Sequence, residues 1–421
     1  MLLPVLAAVS LSVSDLTTAG VRSVIGGDGV ALDLSTNPRA ELAFDFRKSR
    51  LALDYAPYLG VVDVTSDPQL VLLHGAGISY SQWTRKARWT LRARGSYGTQ
   101  SFLTAARPVP TGAAQPAADT GAMPPADTGG AAAPDMGSDM MPAGGEMMPQ
   151  QTAQQTYFIP QREVVKTGSA LVGASFAYTL SKHWLAGVGA AYEIAGGLGS
   201  SAQYLPLRRG PTGDASLGYV ADRRNTFVTS AIFNEITTPD LGGRFLTLSL
   251  LETWAHRFSR ATVGSISGGA TYLASRYRRG DETDRRVLGA GGLSLTDTQP
   301  LTGGATLTLS AQGGLDTGYN QVLGAVTQRV GGQLGVRWDR KRVSLGCSGQ
   351  VSQGLPVDEP TSALTVGASA RATYALSRTV MLQLGGGWTR QRLPETAVVP
   401  GVTPDLWTAT LGVLLTPPPL F

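Results

Sequence analysis

One cysteine, three histidines, a low charge density and no long apolar run set this 421-residue chain apart from ordinary soluble enzymes. A lone Cys347 cannot close an intramolecular disulfide, so no disulfide framework organises the fold. Scarcity of cysteine also suits export into an oxidising compartment. Past the first positions no stretch of about 18 apolar residues occurs, which excludes a helical membrane protein. No apolar stripe of helical period is sustained either, so long amphipathic helices are not expected. His74, His183 and His256 lie far apart and share no metal-ligand spacing. No Gly-x-Ser-x-Gly elbow occurs. Glycine-rich fragments such as Gly289-Ala290-Gly291-Gly292 sit inside alternating segments with no helix after them, so no phosphate-binding loop is indicated. The chain therefore reads as a non-enzyme without cofactor or bound metal. Charged residues make up 15% of it, and 30 of the 35 basic residues are arginine, for a net charge of +5. They form no basic run or helix, which argues against a nucleic-acid partner.

What the chain has in abundance is glycine, 53 residues, and alternation of apolar with polar positions. Leu42, Phe44 and Phe46 share one face against Ala43, Asp45 and Arg47. Leu51, Leu53 and Tyr55 oppose Arg50, Ala52 and Asp54, and Leu364, Val366, Ala368, Ala370, Ala372 and Tyr374 oppose Thr365, Gly367, Ser369, Arg371 and Thr373. Alternation this long, in segment after segment, predicts strands with two unlike faces. Compact turns join them at 46–51, 180–184, 258–262, 339–343 and 376–380, while longer Gly-, Pro- and Asp-rich connections fall at 59–68, 197–212, 237–243, 277–284, 356–361 and 392–403. Short turns on one side and long loops on the other are the asymmetry of outer-membrane barrels, with the short turns periplasmic.

Taking the compact turns as periplasmic, strands running inward are expected near 28–47, 69–83, 163–179, 213–221, 244–256, 285–296, 322–338, 362–376 and 404–415. Those running outward are expected near 12–24, 49–58, 86–102, 182–196, 224–236, 260–276, 302–314, 342–355 and 379–391. The fold class is thus all-β, a transmembrane antiparallel up-and-down barrel of about eighteen strands in the cell outer membrane, in contact with its lipid. Sixteen strands is the alternative, because Asn37-Pro38 reads either as a turn or as a kink. Residues 1–12 look like the apolar part of a signal peptide lacking its basic start, the alternative being a hydrophobic first strand. The barrel then occupies 13–102 and 163–421.

Residues 103–162 break the pattern. They are rich in Ala, Pro, Gly, Asp, Thr and Gln, lack alternation and are expected to be a disordered third extracellular loop. Six of the eight methionines lie there, at 123, 136, 140, 141, 147 and 148. Soft-metal capture is one reading of them, and tolerance of methionine in a low-complexity run is the plainer one.

Tryptophans mark the membrane surfaces. Trp83, Trp89, Trp184, Trp254 and Trp338 fall near compact turns, and Trp388 and Trp407 near the opposite strand ends, as two interfacial girdles require. Alternation turns Arg88, Arg92, Arg94, Arg329, Arg337 and Arg371 inward, together with Asp45, Asp54 and Glu193. A charge facing mid-bilayer lipid costs roughly 2–4 kcal/mol, so a pore-lining position is favoured for each.

Hairpin grammar, aromatic girdles and the terminal Phe421 resemble the porin-like superfamily of outer-membrane β-barrels over nearly the whole chain except 103–162. The last strand departs from the pattern: Pro417-Pro418-Pro419 should stop it near Thr416, short of the terminal aromatic read by the barrel-assembly machinery. The resemblance implies that machinery as a partner during biogenesis and leaves homo-oligomerisation open. It further implies a passive channel for small hydrophilic solutes, weakly anion-preferring through its arginines. The alternative is a non-conducting structural or surface-display barrel that presents its Met/Pro/Ala-rich loop to a partner.

Overall fold

The computed structural model describes residues 6–23, 30–64, 68–101, 164–203, 205–239, 242–276, 283–320, 325–355, 364–392 and 405–417. Among them run nineteen strands and one short 3-10 helix, Gly199–Gln203. In chain order the strands are β1 (Leu6–Ser23), β2 (Val30–Phe46), β3 (Ser49–Tyr55), β4 (Tyr58–Val62), β5 (Gln69–Trp83), β6 (Ala87–Ser101) and β7 (Val164–Thr179). There follow β8 (Trp184–Gly197), β9 (Arg208–Val220), β10 (Asn225–Thr238), β11 (Gly243–Arg257), β12 (Thr262–Arg276) and β13 (Thr283–Leu301). The last are β14 (Ala305–Asn320), β15 (Ala325–Arg340), β16 (Val343–Leu355), β17 (Leu364–Ala375), β18 (Val380–Arg392) and β19 (Asp405–Leu415). Apart from β3 and β4, which both lie between β2 and β5, every strand pairs antiparallel with its chain neighbours, and β1 pairs with both β2 and β19, which closes the sheet. Closure leaves no unpaired sheet edge, the condition for a β-structure to span a bilayer.

β3 and β4 are two pieces of one crossing, so the barrel has eighteen. The break has a local cause. Ala40 pairs with Tyr55 and Thr36 with Leu59, so the unshifted register sets Pro38 opposite Pro57. The Ala56 N–H donates to the Gly75 carbonyl on the β5 side at 2.8 Å, which turns the next nitrogen, that of Pro57, toward β2. Two residues without an N–H face each other, and the ladder lapses there alone. β2 itself runs unbroken through Asn37-Pro38, and the sixteen-strand alternative falls with it.

Five of the eight tight turns share one chemistry. Ser181, Ser259 and Ser377 each accept, through Oγ, the N–H groups two and three residues on. Thr84 does the same with Lys86 and Ala87, and Asp222 with Arg224 and Asn225. A side-chain acceptor at the first position thus stands in for a backbone carbonyl and fixes the reversal. At Asp222 these bonds, the Asn225 amide foremost and the Arg224 N–H after it, hold the carboxyl below the usual carboxylate range.

Several expected boundaries move. The β13–β14 turn lies at 302–304, where Gly303 and Gly304 both take positive φ, rather than before 302. β13 runs past the expected end at 296, and Pro300 pairs in its ladder with Thr306. β9 begins at Arg208 instead of 213, since Gly210-Pro211 lies within the strand. β4 occupies part of the expected 59–68 loop. Residues 8–12, read as the end of a signal segment, pair in β1 with 41–45 of β2. β19 ends at Leu415, where the proline run was expected to stop it. The segment 103–162 lies outside the described residues; β6 and β7 pair up to Ser101 and Val164, so it joins them at the end opposite the tight turns.

Candidate functional site

Because no register shift interrupts the pairing from β3 to β19, side chains keep one parity around the circumference. One row runs Leu42, Leu53, Ile78, Ala93, Val172 and Tyr192 across six crossings. Its neighbour one residue away runs Glu41, Asp54, Gly77, Arg94, Leu171 and Glu193. The first row belongs to an apolar face that suits lipid, so the second faces the interior. The interior wall is the candidate site.

All nine residues expected to line the interior share one parity, that of Asp54 and Arg94. Arg94 pairs with Gly77, which pairs with Asp54, and a side chain at Gly77 would stand 2.5 Å from Asp54 Oδ1 and 3.0 Å from Arg94 Cγ. Glycine there lets acid and base approach over a bare stretch of backbone. Arg337, Gly346, Arg371 and Gly385 form a second such row, and the Arg371 Nη2 donates to Gln383 Oε1 at 2.7 Å. Arg329 pairs in register with Asp316, their charged atoms 3.5 Å apart. Arg208 Nη2 meets Glu193 Oε1 at 2.8 Å, Arg337 Nε meets Asp339 at 2.8 Å, and Arg50 Nε lies 3.7 Å from Asp45. Arg88 stands in register with Trp83 and Ala177, and Arg92 with Ser79 and Gly173. Neither has an ion-pair partner among the described residues.

Between these charges the wall carries hydroxyls and amides that bond across strands. Thr18 with Ser35, Ser96 with Ser169, Ser249 with Thr271 and Ser265 with Ser294 all stand 2.7 Å apart. Ser348 and Ser369 are 2.8 Å apart, and Gln312 Nε2 donates to Gln333 Oε1 at 2.9 Å. Inward aromatic rings are scarce: among the described side chains only Tyr58, Trp83 and Phe245 share this parity. Phe245 is buried against Leu273, with Ile236 and Leu288 packed around them.

The tryptophans divide. Trp89, Trp184, Trp254, Trp338, Trp388 and Trp407 stand on the apolar face. Trp89 meets Phe176 edge-on at 5.9 Å, and Trp184 lies 4.8 Å from Tyr219. Trp254 donates through Nε1 to Asn225 Oδ1, and Trp388 to Asp405 Oδ1, each at 3.1 Å. Trp83 differs. It pairs with Arg88 and so stands on the interior parity, because closeness to a turn gives height but not face.

Sequence reading passed over several residues of the wall. Asp214 is fixed inward by Leu217 and Tyr219 on the other parity, a signal that was legible. Arg208, Glu41, Asp316 and Asp339, the ionic partners, were readable the same way. On the apolar face Glu252 was also missed; it accepts from Thr229 Oγ1 at 2.8 Å, one residue pair in from Trp254. The histidines are held locally: His74 with the Tyr55 hydroxyl, His183 with the Val220 carbonyl and His256 with Asn225. Among the described residues no group of three or more His, Cys, Asp or Glu stands together to hold a metal.

The fold has solved counterparts. OpdO of Pseudomonas aeruginosa is 10% identical and matches with a TM-score of 0.51, covering 99% of this chain and 99% of that one, which establishes the shared barrel fold. OpdL of the same organism is 12% identical, with a TM-score of 0.49 and coverage of 99% and 100%. No curated protein matches the chain. A family model described as the EpsX exopolysaccharide export family matches residues 14–287.

Proposed function

The chain belongs to the EpsX exopolysaccharide export family, and on that premise we propose that it is the outer-membrane conduit through which a hydrophilic sugar polymer leaves the cell. The observation that carries this reading is the hydroxyl- and amide-bearing wall on one face of a closed barrel of eighteen crossings. A barrel of this strand number leaves an aqueous interior. A sugar polymer presents hydroxyls at every residue, and the wall offers hydroxyls, carboxamides and bare glycine backbone in return. Exchange of such bonds with water is nearly balanced in free energy, so the polymer is wetted along its path without being trapped. Conduction requires this weak, many-sited contact. Scarcity of inward aromatic rings fits the same picture, since stacking platforms would hold sugar rings in discrete stops.

The charges add a bias. Most wall arginines are matched by a nearby carboxylate, whereas Arg88, Arg92 and Arg371 are not ion-paired. The interior therefore prefers anions weakly, and no group in it is assigned a catalytic role.

Release of solute from loaded vesicles tests the reading. Liposomes holding a fluorescent neutral dextran of a few sugar units, with the folded full-length chain in the bilayer, should lose it rapidly, while protein-free liposomes keep it. Retention of even a disaccharide by vesicles shown to contain folded barrel would overturn the proposal.

A further inference from the structure

The tight-turn end of the barrel carries a charge pattern that the wall does not explain. Of the eight tight turns, seven present lysine or arginine, and the exception is 302–304 with its two glycines. Lys48, Lys86, Lys182, Arg260, Lys341 and Arg378 stand one to a turn, all exposed. None of the six has an ion-pair partner among the described residues. The acids nearby are spent locally. Asp222 caps its own turn through the N–H groups of Arg224 and Asn225, Asp339 pairs with Arg337, and Asp45 lies against Arg50.

The opposite end is built differently. There Arg22 meets Asp33, Arg208 meets Glu193 and Arg244 meets Glu235, each at 2.8 Å, and Arg390 lies 3.8 Å from Asp405. Several cations are thus matched at the loop end, though Lys166, Arg209 and Arg285 there form no ion pair among the described residues, whereas all six turn cations are unmatched. The unmatched ones also stand in a particular place. On the apolar face, Trp89, Phe176, Tyr178, Trp184, Tyr219 and Trp254 lie within a few residues of these turns. Aromatic rings of this kind settle at headgroup depth, so the turn cations sit at the phosphate level of the same leaflet.

From this geometry we propose that the turns form a basic collar that binds the anionic phospholipid headgroups of the periplasmic leaflet. The collar follows the circumference beside the aromatic belt, with one gap at 302–304, as an annulus of lipid does. A docked protein would call for cations grouped in one sector. A polymer bound for the interior would be met on the inward parity. Each cation near an anionic surface contributes roughly a fivefold preference at low salt, and screening weakens it as salt rises. The proposal rests on the tight turns being periplasmic and is independent of what crosses the interior.

Native mass spectrometry of the full-length barrel, released from vesicles of phosphatidylethanolamine with one part in four of phosphatidylglycerol, tests it. Lipid retained by the protein should be several-fold richer in phosphatidylglycerol than the bulk. Replacing Lys48, Lys86, Lys182, Arg260, Lys341 and Arg378 together by glutamine should return the ratio to the bulk value. A second variant, Thr302→Lys, adds a cation to the one turn without any and should raise the enrichment, so the idea stays testable if the six-fold variant folds poorly. A bulk-like ratio for the unmodified barrel, or an enrichment indifferent to both variants, would overturn the proposal. Bulk-like lipid combined with collar-dependent retention on a soluble polyanion such as heparin would overturn it as well, assigning the collar to a polymer.

Discussion

A single interior arginine matters here according to whether it has a partner. Arg329 and Arg337 are neutralised in place by Asp316 and Asp339, so their fields are short-ranged. Arg88 and Arg92 form no ion pair among the described residues, Arg92 acting on Asp214 only at longer range, and they lie on one strand four residues apart on the same parity. The double variant Arg88→Gln/Arg92→Gln should therefore shift the reversal potential in a KCl gradient toward cation preference. Arg329→Gln should also move it toward cation preference, because it leaves the Asp316 carboxylate uncompensated. An unchanged reversal potential in the double variant would remove these two residues from the selectivity account. That all nine expected wall residues share one parity was legible because alternation sets each against apolar neighbours: Leu91 and Ala93 flank Arg92, and Leu334 and Val336 lie opposite Arg337 in parity. What alternation could not give was pairing. Whether Asp316 or some other acid reaches Arg329 depends on the register between two strands, which one strand's pattern does not contain. Trp83 marks the same limit, since its place beside a turn fixed a depth while its register with Arg88 fixed a face.

At the scale of strands and turns, bounds were readable wherever a side-chain acceptor opened the turn, as at Ser181, Ser259 and Ser377. They were misplaced where proline sat in a ladder. Pro211, inside the expected 197–212 connection, pairs with Tyr192 of β8 while the β9–β10 ladder lapses beside it between Arg209 and Thr212, and Pro300 pairs with Thr306 of β14. Pro38 and Pro57 show a different case, two proline nitrogens turned on each other within one gap. Replacing both with valine supplies two donors opposite two carbonyls and joins β3 and β4 into an uninterrupted crossing. At about 1 kcal/mol per backbone hydrogen bond, Pro38→Val/Pro57→Val should raise unfolding stability by roughly 1–2 kcal/mol, read as a later urea midpoint in lipid vesicles. A lower midpoint would mean that the break relieves strain that the ladder cannot absorb.

The molecule as a whole is a closed sheet whose two faces do different work. The apolar face carries the aromatic belts and meets lipid; Glu252, tied to Thr229, is an exposed carboxylate on it. The other face brings together residues more than 350 positions apart in sequence, as where Arg22 of β1 pairs with Thr408 of β19. The count of eighteen crossings followed from sequence because turns and loops alternate in kind along the chain. The seam between β1 and β19 did not announce itself, since nothing local marks a long-range pairing. Single-channel recording in planar bilayers tests this account most directly, with the pure full-length protein folded beforehand. An open, wetted interior predicts discrete, ohmic conductance steps that the addition of a neutral oligosaccharide transiently reduces. A folded barrel that inserts into the bilayer without any conductance step would contradict it.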